Sequence, residues 1–121
     1  MAITHFEQLE VWQEAMNLVE LTYRYSCHFP REEQFGLTSQ IRRAAVSVPS
    51  NIAEGHGRKG TKEYLRHLSI ARGSLMEVLT QAEIARRLQY SPTELHQTLN
   101  AKANVVGRLL NGLIRALENK T

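Results

Sequence analysis

The chain has 121 residues, of which 42% are hydrophobic and 22% charged, a size and mixture typical of one soluble globular domain. Its single cysteine, Cys27, excludes an intrachain disulfide and any cysteine-based zinc motif. The sequence contains no run of 18 apolar residues and no basic segment leading into an apolar one, so we expect a cytoplasmic protein without membrane spans.

The net charge of +3 is unevenly distributed along the chain. Residues 1–33 include two basic and six acidic residues, whereas residues 34–121 include thirteen basic and six acidic residues. This asymmetry permits a polyanionic partner such as nucleic acid.

Apolar residues recur at helical spacing in four segments and nowhere alternate as in a strand. They predict helices at about residues 5–29, 35–54, 61–88 and 92–118. Because the connections are short, we expect neighbouring helices to be antiparallel. The predicted fold over residues 1–121 is therefore an all-α, up-down-up-down four-helix bundle.

The first predicted helix has two apolar stripes. Thr4 and Glu7 form a capping-box pattern at its start. We expect the first stripe to face the bundle core: Leu9, Trp12, Met16, Val19 and Tyr23. The second stripe lies about 130° around the helix and is predicted to contact other subunits: Val11, Ala15, Leu18, Thr22 and Tyr25.

The second predicted helix contains a proline. Its inward stripe is Leu37, Ile41, Ala45, Val48 and Ile52. Pro49 has no N–H to donate to the carbonyl of Ala45, so we expect this helix to bend there. Gly55 and Gly57 are predicted to end it.

The last two predicted helices each have one clear stripe. On the third, the inward residues are Tyr64, Leu68, Ala71, Leu75, Val78, Leu79 and Ala82. The fourth begins with Ser91, Pro92, Thr93 and Glu94, a strong start signal. Its stripe is Leu95, Leu99, Val106, Leu109, Leu110, Leu113 and Leu117.

Basic residues concentrate around the connection between the second and third helices. We predict that six of them contact nucleic acid: Arg42, Arg43, Arg58, Lys59, Lys62 and Arg66. The chain path from Arg58 to Arg66 is short, so the last four should cluster at one end of the bundle. Such a cluster suits phosphate oxygens. Exposed aromatics are not interleaved with it, so we expect salt-sensitive binding to the nucleic-acid backbone rather than base reading.

Apolar residues beyond one core's needs predict a homo-oligomer. The expected contact residues come from three helices: Val11, Ala15, Leu18, Val46, Ala53, Ile70, Gly73 and Ile84.

Motifs for catalysis or metal binding are not evident. The histidines are scattered, and Glu63 with His67, one turn apart, is predicted to be a surface pair. The segment GHGRKG lacks the frame of a phosphate-binding loop, and no nucleophile–base set appears. We therefore expect a protein that is not an enzyme and that needs no metal or cofactor.

Three segments, FEQLEVWQEAMNL, FPREEQFGLTSQIRRAAVSVPSNIAEGHGR and EYLRHLSIARGSLMEVLTQ, resemble the 23S rRNA-intervening-sequence family of four-helix bundle proteins. The middle segment is the most specific, and the resemblance covers about residues 6–118. It implies a bacterial cytoplasmic bundle that assembles into a ring-like homopentamer, and it brings no catalytic residues. Relatives accompany the reverse transcriptase of diversity-generating retroelements, which implies nucleic acid and a polymerase-type protein as partners.

Two functional hypotheses follow from the sequence. The first is a non-enzymatic, oligomeric bundle that binds the backbone of RNA or DNA. The alternative is a scaffold or protein-interaction bundle without nucleic-acid binding.

Overall fold

The computed structural model describes residues 5–120, and none of these residues is in a strand. Short 3-10 helices span Phe6–Gln8 and Arg31–Glu33. The four α-helices are α1 Glu10–Ser26, α2 Leu37–Gly57, α3 Thr61–Arg87 and α4 Thr93–Glu118. The predicted all-α fold with four helices is confirmed.

The first helix starts later than predicted. Leu9 is extended, with φ −77° and ψ 127°, and separates the 3-10 helix from α1. The side chain of His5 accepts a hydrogen bond from the backbone N–H of Glu7. Thr4, the other half of the predicted capping box, lies outside the described residues. At the other end of the fold, α4 starts one residue after its predicted start, and no side chain caps it.

Each helix packs against two neighbours: α1 and α3 both contact α2 and α4. Along the interface of α2 with α3, Ser74 bonds to Ser47, and one turn further along α2, Asn51 meets His67. The partners therefore follow opposite orders along these two helices. The up-down-up-down arrangement of the whole bundle stays a prediction. The predicted inward residues of α2 are all buried, namely Leu37, Ile41, Ala45, Val48 and Ile52.

The two stripes of α1 are exchanged relative to the prediction. Val11, Ala15 and Leu18 lie in the core of the single chain, each at most 5% exposed. Their assignment to a subunit interface is therefore wrong. Farther along the same stripe, the Tyr25 hydroxyl donates to the carbonyl of Ala82 on α3, at 2.9 Å, and the Thr22 hydroxyl donates to the carbonyl of Leu18 in its own helix, at 2.7 Å. These bonds allow the more polar stripe to be buried.

The larger side chains of α1 are instead partly exposed. Met16 and Tyr23 are 38% and 40% exposed, and Leu9, Trp12 and Val19 are partly buried. The stripe predicted to face the core therefore borders the bundle surface, beside α2.

His67 is buried, so the predicted surface pair with Glu63 is also wrong. Its Nδ1 lies 3.2 Å from Oδ1 of Asn51, at the interface of α2 with α3.

Lys102 has the spacing of the apolar stripe of α4 but is partly exposed, and its Nζ binds Glu14 of α1 at 2.6 Å. Ala103 takes the neighbouring core position.

Candidate nucleic-acid interface

The connection between α2 and α3 is three residues long. The helix α2 continues past Pro49 and Gly55 to Gly57, and Arg58 then adopts an extended conformation with φ −82° and ψ 155°. A bend of the helix at Pro49 stays a prediction. Gly60 has a φ of +88°, in the left-handed region that favours glycine, and α3 starts at the next residue. Of the two glycines predicted to end the helix, Gly57 is its last residue, whereas Gly55 lies inside the helix and is buried against α3.

The short connection brings four of the predicted basic residues to one end of the bundle. Arg58 Nη2 donates to Oε2 of Glu54 at 2.6 Å, and Nε of Arg66 lies 3.4 Å from Oε2 of Glu63. The hydrogen bond from Arg58 lowers the pKa of the Glu54 carboxyl group, and the charge of Arg66 lowers it further. Arg66 lies in the second turn of α3, shortly after the connection from α2.

Lys59 and Lys62 differ from these arginines. Both side chains are exposed, and neither has an ion-pair or hydrogen-bond partner among residues 5–120. Each ammonium group is therefore available to an external anion. We name Arg58, Lys59, Lys62 and Arg66 the basic end.

Arg42 and Arg43 lie far from the basic end. Arg43 and Arg58 are fifteen positions apart, about 22 Å along a helix that rises about 1.5 Å per residue. Arg42 is held against α1: its Nε donates to Oγ of Ser26 at 2.7 Å, and its Nη2 donates to the carbonyl of Tyr23 at 3.4 Å. The guanidinium carbon also lies 4.5 Å from the centre of the Tyr23 ring. The structure therefore divides the six predicted residues between two places.

Arg43 is exposed beside a cavity of about 570 Å³ between the end of α1 and the start of α2. Two aromatic residues also line this cavity, Tyr23 and Phe35. They are twelve residues apart in the sequence, one on a helix and one in a connection, so no periodic pattern could have paired them. The one sequence signal for this cavity was a phenylalanine, Phe35, directly before Gly36 at the start of a helix.

The predicted contact residues outside α1 are mostly at the surface. Val46, Ile70 and Ile84 are each about 41% exposed, and Gly73 is exposed with open space beside it. Ala53 is partly buried in a groove between α1 and α2. This groove, with a volume of about 340 Å³, is lined by Trp12, Met16, Val19, Val46, Pro49, Ser50 and Ala53.

Within residues 5–120, no three His, Cys, Asp or Glu side chains lie close enough together to hold a metal ion. Over the same range, no helix has both the length and the apolar character to cross a lipid bilayer.

Comparisons with known proteins add a family and a fold. The family model described as 23S rRNA-intervening sequence protein matches residues 7–112. A crystal structure of a protein of unknown function from the S23 ribosomal protein family of Bacteroides thetaiotaomicron is similar, with a TM-score of 0.77 and 20% sequence identity. The match covers 86% of this chain and 97% of that one. The comparison with curated proteins finds no match.

Proposed function

Because the chain belongs to the 23S rRNA-intervening sequence protein family, we propose that it is a non-enzymatic, oligomeric four-helix bundle that binds the phosphate backbone of RNA or DNA. The basic end is the binding surface. Lys59 and Lys62 contact phosphates directly, and Arg58 and Arg66 strengthen the local positive potential.

The observation that supports this proposal most is the pair of unpartnered lysines. A lysine that already binds a carboxylate gains little by exchanging it for a phosphate, because one ion pair replaces another. Lys59 and Lys62 have no such partner among the described residues, so a phosphate would replace only water and small ions. Release of condensed counterions from the nucleic acid then drives binding, which weakens as salt rises.

Replacing both lysines tests the basic end. We expect Lys59→Ala/Lys62→Ala to weaken binding to a structured RNA at low salt, and to reduce the slope of log affinity against log salt by about one to two. Both residues are exposed and form no hydrogen bond or ion pair with another described residue, so the melting temperature should not change. Filter binding at four or five salt concentrations measures the affinity and the slope together.

Arg87→Ala/Arg108→Ala is the matched control, because it removes the same charge outside both the basic end and the cavity beside Tyr23. Both arginines are exposed, and the ion pair of Arg87 is with Glu83, which Arg86 also binds. If the control variant lost as much affinity as the lysine variant, binding would follow net charge, and the basic end would have no special role.

Two separate apolar patches support the oligomeric part of the proposal. One is the groove between α1 and α2, and the other is the outward face of α3 that carries Ile70, Gly73 and Ile84. Two different patches on one subunit favour head-to-tail contacts, which form closed rings when the rotation closes. Such contacts agree with the ring-like pentamer that the family resemblance implies.

A charge placed in the groove tests this arrangement. We expect Val46→Glu to reduce the sedimentation coefficient at micromolar concentration, because a buried carboxylate without a partner opposes subunit contact. Val46 is exposed enough in the single chain for the variant to fold. Ala101→Glu, at an exposed site on α4 outside both patches, is the control and should sediment like the parent. A parent that sediments as a monomer would contradict the oligomeric proposal.

The alternative is a scaffold that binds other proteins, for instance a polymerase-type protein, through the same apolar patches. The exposed groove favours it, since a contiguous apolar surface is a typical protein-interaction site. It predicts no salt-dependent binding to nucleic acid, so the filter-binding experiment separates the two functions.

A further inference from the structure

A second site with different chemistry lies away from the basic end. It is the cavity of about 570 Å³ lined by Tyr23, Gln34, Phe35, Thr38, Ser39, Arg42, Arg43, Val46 and Ser47. We propose that this cavity binds an unpaired nucleotide of a nucleic-acid strand, its base stacked on the aromatic rings and its phosphate on Arg43. The inference rests on the proposed nucleic-acid function and adds discrimination between single and double strands.

Phe35 is the most exposed large apolar residue among those described, with 90% of its surface accessible. A ring this exposed contributes little to packing within the chain. Burying it against a ligand would remove apolar surface from water and favour binding. Nucleobases offer the flat apolar face that such a ring binds by stacking.

The Tyr23 ring and the Arg42 guanidinium form the second stacking surface. The guanidinium is fixed by its bonds to Ser26 and to the Tyr23 carbonyl, and its carbon lies 4.5 Å from the ring centre. Bases stack on guanidinium planes as well as on aromatic rings. Because the stacked pair already exists in the free protein, a base binds to it with little loss of side-chain freedom.

The charge of the cavity fits the phosphate of the same nucleotide. Two arginines and no carboxylate line it. Arg43 has no partner among residues 5–120, and a free guanidinium binds a phosphate with two parallel hydrogen bonds. The nearby Glu33 uses its carboxylate elsewhere: Oε1 accepts from the Leu37 N–H at 2.9 Å and Oε2 from the Tyr90 hydroxyl at 2.9 Å. Glu77 lines a neighbouring cavity together with Arg43 but does not line this one.

The polar side chains around the rings complete the match. Gln34, Thr38 and Ser39 place an amide and two hydroxyl groups on the cavity wall, where they can donate to and accept from a base edge. A paired base inside a duplex exposes neither its face nor its pairing edge. The cavity therefore favours loops, bulges and strand ends over regular duplex.

Replacing Phe35 tests the site. We expect Phe35→Leu to weaken binding of a fluorescein-labelled, unstructured single-stranded RNA by about tenfold, because leucine keeps apolar area but lacks a ring. Phe35→Trp should restore the affinity, and binding of a blunt RNA duplex of the same length should change in neither variant. Fluorescence anisotropy at low salt measures both ligands. Leu88→Ala, which removes another exposed apolar side chain, is the control and should leave both affinities unchanged.

The outcomes separate this inference from the proposed function. If Phe35→Leu binds the single strand like the parent while Lys59→Ala/Lys62→Ala is weakened, the nucleotide site is wrong and the basic end stands. If Phe35→Leu lowers the sedimentation coefficient with single-strand affinity unchanged, the cavity is a protein contact and the inference is overturned. If the parent binds neither RNA, both the proposed function and this site are wrong.

Discussion

We expect Gly55→Ala to lower the free energy of unfolding by about 2 kcal/mol, although alanine is the better helix former by about 1 kcal/mol. The reason is the close approach of α2 to α3 at this glycine. A Cβ atom at Gly55 would lie 2.8 Å from Cβ of His67 and 3.1 Å from Cδ1 of Tyr64. It would also lie 3.3 Å from the Tyr64 backbone carbonyl. Because Cβ of His67 adjoins the backbone of α3 and the Tyr64 carbonyl belongs to it, the two helices would have to separate.

Gly112→Ala is the control for this prediction, because Gly112 is exposed inside α4 and a Cβ there meets nothing within 4 Å. It should raise the free energy of unfolding by up to about 1 kcal/mol, since only the helix propensity changes. Urea unfolding of both variants at one protein concentration gives the two values. If Gly55→Ala were as stable as Gly112→Ala, the close approach of the helices would be wrong.

We expect Asn51→Ala to lower the free energy of unfolding by about 2 kcal/mol, because one side chain satisfies several groups at the interface of α2 with α3. The Asn51 amide donates to the Ser47 carbonyl at 2.9 Å and to the Ser47 hydroxyl at 3.0 Å. Its Oδ1 lies 3.2 Å from Nδ1 of His67, which must donate the proton, since Oδ1 can only accept.

The expected loss of stability in Asn51→Ala is large because His67 makes no other hydrogen bond among the described residues. Its Nε2 is buried and makes no hydrogen bond among the described residues, so Asn51→Ala leaves both ring nitrogens without a partner. Asn104→Ala, at an exposed position on α4, is the control and should change the stability by less than about 0.5 kcal/mol. A thermal melt in which both variants match the parent would show that this polar group is not a stabilising network.

For a helix with one apolar stripe, the side that faces the core could be predicted from the sequence. For α1, which has two stripes, it could not. In α2, Leu37, Ile41 and Ile52 belong to one stripe with helical spacing and are buried as expected. In α1, both stripes have helical spacing, and the one with larger side chains looked like the core. The structure buries the other, because hydrogen bonds from Thr22 and Tyr25 satisfy their hydroxyl groups inside the bundle. Such bonds depend on tertiary contacts that periodicity does not contain.

The candidate sites, too, could be predicted only in part from the sequence. The basic end was predictable because the short chain path from Arg58 to Arg66 leaves little freedom in where the charges lie. Two other features needed the three-dimensional arrangement. Arg42 bonds to Ser26 of α1, sixteen residues away in sequence, and Phe35 lines the same cavity as Tyr23. The sequence also did not reveal that Gly55 is a packing residue, since a glycine near a helix end is most often a stop.

The central claim is that the chain binds nucleic-acid backbone through cationic groups. The most direct measurement is filter binding of the parent protein to a structured RNA as the salt concentration rises from about 50 to 200 mM. We expect the filter to retain the RNA clearly at the lowest salt. The logarithm of the affinity should then fall linearly with the logarithm of the salt concentration, with a slope set by the number of phosphates contacted. Absence of binding at the lowest salt, or an affinity that does not change with salt, would contradict it.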